Sequence, residues 1–161
     1  MSDEAAPRIL VIGAGNPDRG DDGVGALVVR LLSGKLPPEV GLLARPGDML
    51  GLIAEWEACD LVICVDAAAP SGEPGRIDRF DLGEDALPIW GASTSSHGFG
   101  LAETVALAQN LGRAPGRIIL YAIEGGEFEC GAAMTSEVAA AAEMVAERIV
   151  AEIGGLGDEM I

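Results

Sequence analysis

The sequence predicts an α/β protein: a single-domain three-layer sandwich, with a mostly parallel, twisted sheet of about five strands and helices on both faces. Three observations lead there. Short apolar runs alternate along the chain with segments of helical periodicity. Those runs are continuous rather than alternating, the pattern of strands buried on both faces. The 161 residues hold no internal repeat and no dividing linker, yet suffice for one domain with a real core.

"RILVIG" (8–13) reads as a buried strand, and "DGVGALVVRLLSGK" (22–35) as an amphipathic helix ending near Gly34. "VGLLAR" (40–45) is a second strand, followed by a helix from about Asp48 to Ala58. "DLVICVDA" (60–67) sets five apolar residues in succession between Asp60 and Asp66, the strongest strand signal in the chain. "SGEPGRIDRFDL" (71–82) opens with turn residues and then mixes Ile77, Phe80 and Leu82 with polar neighbours, which suits an edge strand. "FGLAETVALAQNLG" (99–112) is a helix closed by Gly112 and Pro115. "RIILYAIE" (117–124) is a last buried strand, and "TSEVAAAAEMVAERIVAEIGG" (135–155) a long helix with Thr135 or Ser136 as N-cap. The domain is expected to span 1–161, with 1–7 and 154–161 as frayed ends.

Composition narrows the function. Hydrophobic residues make up 49% and aromatics 4%, so the core must be aliphatic and alanine-rich. A net charge of −16 repels nucleic acid and anionic membranes and favours cations or basic partners. No apolar run approaches the roughly 18 residues of a spanning helix, and "MSDEAAPR" has neither the basic start nor the apolar stretch of a secretory signal. Cys59, Cys64 and Cys130 form no C-x-x-C pair, which points to a reduced, cytoplasmic compartment, with Cys64 acting as a small apolar strand residue.

Ligands of parallel sheets sit beyond the carboxyl ends of the strands. The loop "GAGNPDRGDDGVG" (13–25) lies there, but it breaks the dinucleotide fingerprint at its third glycine and lacks a P-loop Gly-Lys-Ser/Thr. Asp18, Asp21 and Asp22 would repel a phosphate where a helix N-terminus should attract it, so the loop suits a cation. Asp66 ends the "LVICV" strand, and His97, the chain's single histidine, stands in "GASTSSHGFG" just before a helix. Asp22, Asp66 and His97 make a plausible three-ligand set for a divalent transition ion. Taken singly, Asp22 also suits a helix cap worth about 0.5–2 kcal/mol, Asp66 a strand end bonded to loop amides, and His97 a structural histidine. Other catalytic patterns are missing: there is no G-x-S-x-G elbow for Ser95 or Ser96, no His-Glu-x-x-His helix and no cysteine with an evident base.

Four blocks in order, "ILVIGAGNPDRGDDGVG", "DLVICVDAAAPSGEPG", "SSHGFGLAETVALA" and "IEGGEFECGAAMTSEV", resemble the hydrogenase maturation proteases from Ile9 to about Ile149. That resemblance implies an endopeptidase that removes the C-terminal extension of a nickel–iron hydrogenase large-subunit precursor. It carries the metal-binding acidic residue onto Asp22, the strand-end aspartate onto Asp66 and the histidine onto His97. It also implies that nickel arrives already installed in the substrate, other divalent ions being able to substitute. Asn16 and Gly15 would then meet the peptide, their amides positioning it or an oxyanion. "ARPGDMLG" departs from the family's Asp-Gly-Gly-Thr stretch, and Asp48 is the residue that could stand in there. Many relatives have glutamate where Asp22 stands. The expected partner is the precursor, with no nucleic acid or membrane, and the protein itself a monomer or weak oligomer. The alternative is a non-catalytic module of the same fold that binds the metal or the hydrogenase without cutting.

Overall fold

Alternate residues of each strand sort the core into two apolar layers, one on either face of the sheet. A computed structural model describes residues 8–45, 51–81 and 101–159. Among these the strands are β1 (Ile9–Ala14), β2 (Gly41–Arg45), β3 (Leu61–Ala68), β4 (Ile77–Asp81) and β5 (Arg117–Glu124). The helices are α1 (Val24–Leu32), α2 (Leu52–Trp56), α3 (Leu101–Leu111) and α4 (Ser136–Glu159). Val11, Ile63, Val65, Ile119, Tyr121 and Ile123 pack with Val24, Val28, Leu32 of α1 and Val138, Val145, Ile149 of α4. Ile12, Val62, Cys64, Ile118 and Leu120 point the other way, onto Leu52, Ile53 and Trp56 of α2 and Val105 and Ala108 of α3. The sheet is therefore covered by helices on both faces, as its continuous apolar runs require.

The strand order is β2-β1-β3-β5-β4. β1 pairs in parallel with both β2 and β3, and β3 in parallel with β5. β4 alone is antiparallel and forms one edge, pairing Ile77 with Ile123 and Asp81 with Ile119. After β1 the chain moves outward to β2 and then returns to β3 on β1's other side. The connections on either side of β1 thus diverge, leaving a crevice above the carboxyl ends of β1 and β3, the place where open α/β sheets bind ligands.

Glycines let α1 reach that position. A Cβ on Gly13 would stand 2.1 Å from the Gly25 carbonyl oxygen, and one on Gly25 would stand 2.5 Å from the oxygen of Ala14 and 2.7 Å from that of Val65. The first turn of α1 lies directly on the β1–β3 seam, with no room for a methyl group between them.

Three boundaries differ from the sequence reading. Gly20–Gly23 form a 3₁₀ turn, so α1 begins at Val24 rather than at Asp22, and the chain leaves it at Ser33. α2 is one short stretch, Leu52–Trp56, within the longer helix expected. α4 continues to Glu159, so the frayed end expected from 154 is helical backbone as far as that residue. No helix among the described residues is long and apolar enough to cross a membrane.

Candidate active site at the carboxyl edge

Asp22 and Asp66 reach one crevice from different elements. β1 and β3 run in register, Gly13 beside Val65, so Asp66 is the next residue along β3 as β1 turns into its loop. Gly15, at φ 116°, makes that turn, and its N–H donates to the Arg45 carbonyl at the end of β2, 3.1 Å away. A Cβ here would lie 2.1 Å from the backbone oxygen of Asp22, so the loop folds tightly back on itself. The Asn16 N–H donates to Oδ2 of the buried Asp22 at 2.9 Å, and the Asp18 N–H to Oδ1 of Asn16 at 2.8 Å.

Asp66 is half-buried, and its Oδ1 accepts the Ala67 N–H at 2.8 Å. Desolvation pushes its carboxyl up from 3.8 to about 7; the Ala67 hydrogen bond opposes this and the negative charge of Asp22 adds to it. Two carboxylates are thus held close enough to repel, an arrangement that a cation between them would relieve. Behind them Cys64 is buried in the strand; desolvation, with the Asp66 charge, pushes its thiol well above the ordinary range and keeps it protonated. It packs as a small apolar residue.

His97 and Asp48, the other sequence-predicted site residues, lie outside the described residues. Asn16 and Gly15 do border the crevice. Both of their amides donate within the chain, Gly15 to Arg45 and Asn16 to Asp22.

Asp21, the middle aspartate of the loop, corrects the sequence reading, which turned Asp18, Asp21 and Asp22 alike toward a cation. A 3₁₀ turn rotates successive side chains by about 120°, so the adjacent Asp21 and Asp22 diverge. Asp21 is fully buried. Its Oδ2 accepts the N–H groups of Gly126 (2.8 Å) and Glu127 (2.9 Å), and its Oδ1 the N–H (2.8 Å) and hydroxyl (3.0 Å) of Thr135. Its own N–H donates to the Glu127 carbonyl at 2.7 Å, and the Asp18 carbonyl accepts the Gly131 N–H at 2.6 Å.

A second buried carboxylate the sequence reading left without a role, Glu124, ends β5. It accepts the N–H groups of Ser71 (2.8 Å) and Glu73 (2.6 Å) on Oε2 and the Ser71 hydroxyl (2.5 Å) on Oε1. Burial raises its pKa, but those hydrogen bonds from Ser71 and Glu73, with the Arg76 charge, outweigh it and leave the carboxyl below its ordinary value. Both residues fasten loops around the crevice. Position at a strand's carboxyl end was the available signal for Glu124; for Asp21 the sequence held none that separates it from Asp22.

A model of the hydrogenase maturation protease family matches residues 41–152, a stretch that holds Asp66 and His97 and begins after Asp22. The hydrogenase expression/formation protein HupD of Bradyrhizobium diazoefficiens is 32% identical over 126 residues, 76% of this chain and 65% of that protein. HupD of Rhodobacter capsulatus is 29% identical over 158 residues, 95% of this chain and 74% of that one. Among solved structures, the hydrogenase maturating endopeptidase HybD from E. coli superimposes with a TM-score of 0.79 at 26% identity, covering 93% of this chain and 94% of its own. The [NiFe] hydrogenase maturation protease HycI from Thermococcus kodakarensis gives 0.72 at 27% identity, covering 92% and 93%. The chain thus spans just under two thirds of the Bradyrhizobium relative and nearly all of both solved structures.

Proposed function

The chain belongs to the hydrogenase maturation protease family, and from that premise we propose that it is an endopeptidase that removes the C-terminal extension of a nickel–iron hydrogenase large-subunit precursor. One observation carries the reading: Asp22 and Asp66 are brought to a single crevice at the β1–β3 switch, where burial and then the charge of the first raise the pKa of the second. Such a pair suits a cation that arrives with the substrate. The precursor's nickel, held by its own cysteines, docks at this edge, and Asp22, Asp66 and His97 replace water around it.

Docking beside the two carboxylates would orient the scissile peptide, and the ion would supply Lewis-acid polarisation of its carbonyl. Water adds to the carbonyl carbon, one of the two carboxylates takes its proton, and the C–N bond breaks with that proton passing to the leaving amine. Asp66 must lose its proton to bind a cation, so capture is expected to weaken as pH falls below about 7. A site that needs the installed ion cuts only a completed precursor. The cytoplasm, where such a precursor is assembled, is the compartment this reading assigns.

Mass spectrometry of a nickel-loaded precursor, incubated with the protein and with Asp22→Asn, tests the proposal. Loss of one C-terminal peptide, with nickel and with the unmodified protein only, is the expected result. An uncut precursor held in a nickel-dependent complex would instead identify a non-catalytic binding module.

A further inference from the structure

We propose that Asp21 is a positioning residue for Asp22: its buried carboxylate ties the 3₁₀ turn to the segment after β5 and to the start of α4, and so sets where the Asp22 carboxylate stands. The inference rests on the reading of Asp22 as a site residue given above. It comes from three features of the same turn.

The first is the completeness of the attachment. Oδ2 accepts the Gly126 and Glu127 N–H groups, Oδ1 accepts the Thr135 N–H, and the Thr135 hydroxyl lies within reach of both oxygens, so every donor comes from more than a hundred residues along the chain. The second is its reciprocity. The Asp21 N–H donates to the carbonyl of Glu127, whose own N–H returns to the Asp21 carboxylate, so main chain and side chain grip the same residue from both sides. Gly20, at φ 56°, presses against that carbonyl; a Cβ would stand 2.4 Å from it. The third is adjacency. Asp22 follows in a four-residue turn, with its own N–H bonded to the Arg19 carbonyl at 3.1 Å, so the turn moves as a unit. Rotating or lifting Asp21 must carry Asp22 with it.

Thr135 also explains why the attachment reaches α4. It immediately precedes Ser136, and its carbonyl accepts the Ala139 N–H at 3.0 Å, but its N–H and hydroxyl go to Asp21. A carboxylate from another element thus occupies the N-terminal end of α4, where negative charge is favoured. Asp21 links the site loop to α4, the longest helix among the described residues.

The Asn16 N–H, which donates to Asp22 Oδ2, reports the place of that carboxylate without any metal or substrate. The test is the Asn16 amide proton shift and its exchange protection in the full chain, well below the melting temperature, for the unmodified protein, Asp21→Asn, Thr135→Val, Thr135→Ser and Asp22→Asn. Asp22→Asn calibrates the loss of that bond.

Asp21→Asn is expected to move the Asn16 amide at least halfway toward the Asp22→Asn value and to cut precursor cleavage at least tenfold in kcat/KM. Thr135→Val should move it partway in the same direction, and Thr135→Ser should restore it. An unmoved Asn16 amide in folded Asp21→Asn overturns the proposal. Should that variant not fold, an unmoved amide in Thr135→Val does so. A merely stabilising role lowers the melting temperature and leaves the amide where it was, which also overturns it. Full cleavage by Asp22→Asn would remove the site reading, while the Asn16 amide would still judge whether Asp21 positions its neighbour.

Discussion

Asp66 stands where desolvation and a like charge act in the same direction, and this ties stability to pH. Its carboxyl, raised from 3.8 to about 7, keeps a proton that the unfolded chain releases across that interval. The folded state therefore loses stability as pH rises from about 4 to about 7, and the loss is complete above that. Asp66→Asn is expected to stabilise the protein by about 1–2 kcal/mol near pH 8, water screening of the half-buried carboxyl having removed part of the full effect. Calorimetry should show the gain shrinking near pH 5.5; an equal gain at both would contradict the coupling. The placing of Asp22 and Asp66 at one edge of the sheet was legible in the sequence, because the first lies in the loop that leaves the β1 run and the second closes the apolar run within β3. Asp21 was misread for an equally physical reason. The partners that claim its carboxylate, Gly126, Glu127 and Thr135, lie more than a hundred residues along the chain, and only the fold brings them to it.

At the scale of elements, the helix–sheet seam is the least forgiving part of the fold. Gly25→Ala places a methyl group against three backbone atoms at 2.5 to 2.7 Å. Neither β1 nor β3 can retreat without breaking the ladder, so a cost of at least about 2 kcal/mol is expected. Urea denaturation measures it, and a change within experimental error would show that α1 can slide. The outer seam of β5 and α4 is more tolerant. The Tyr121 hydroxyl donates to Glu152 at 2.6 Å, and Arg79 reaches the same carboxylate from β4. Burial, then the bond to Glu152, raises the phenol to about 12. Tyr121→Phe should cost about 1 kcal/mol and leave precursor cleavage unchanged, since Arg79 still pairs with Glu152. Most element types were legible because continuous apolar runs and helical periods leave few alternatives. The end of α4 was not, because Gly154, Gly155 and Gly157 weaken helix propensity locally while the preceding turns supply the packing that carries the helix on.

For the whole molecule, 26 acidic residues against 10 basic ones make self-repulsion a standing cost of folding. Raising NaCl from about 10 to about 200 mM shortens the screening length several-fold, and the melting temperature is expected to rise by about 3–5 °C; a fall would mean that local ion pairs such as Arg117–Asp81 dominate. Sheet order was beyond the sequence reading, since apolar runs identify strands without saying which are neighbours. That order has a consequence for synthesis. β5 is made after β4 yet lies between β4 and β3, so β4 has no strand to pair with until Glu124 has been added. Glu124 and the segment from Gly126 to Thr135 then fasten the loops around the crevice. A nascent chain shorter than this holds both acidic residues but not their framework. On the proposed reading, a partly made chain thus carries both carboxylates toward the precursor without the hydrogen bonds that fix their loops.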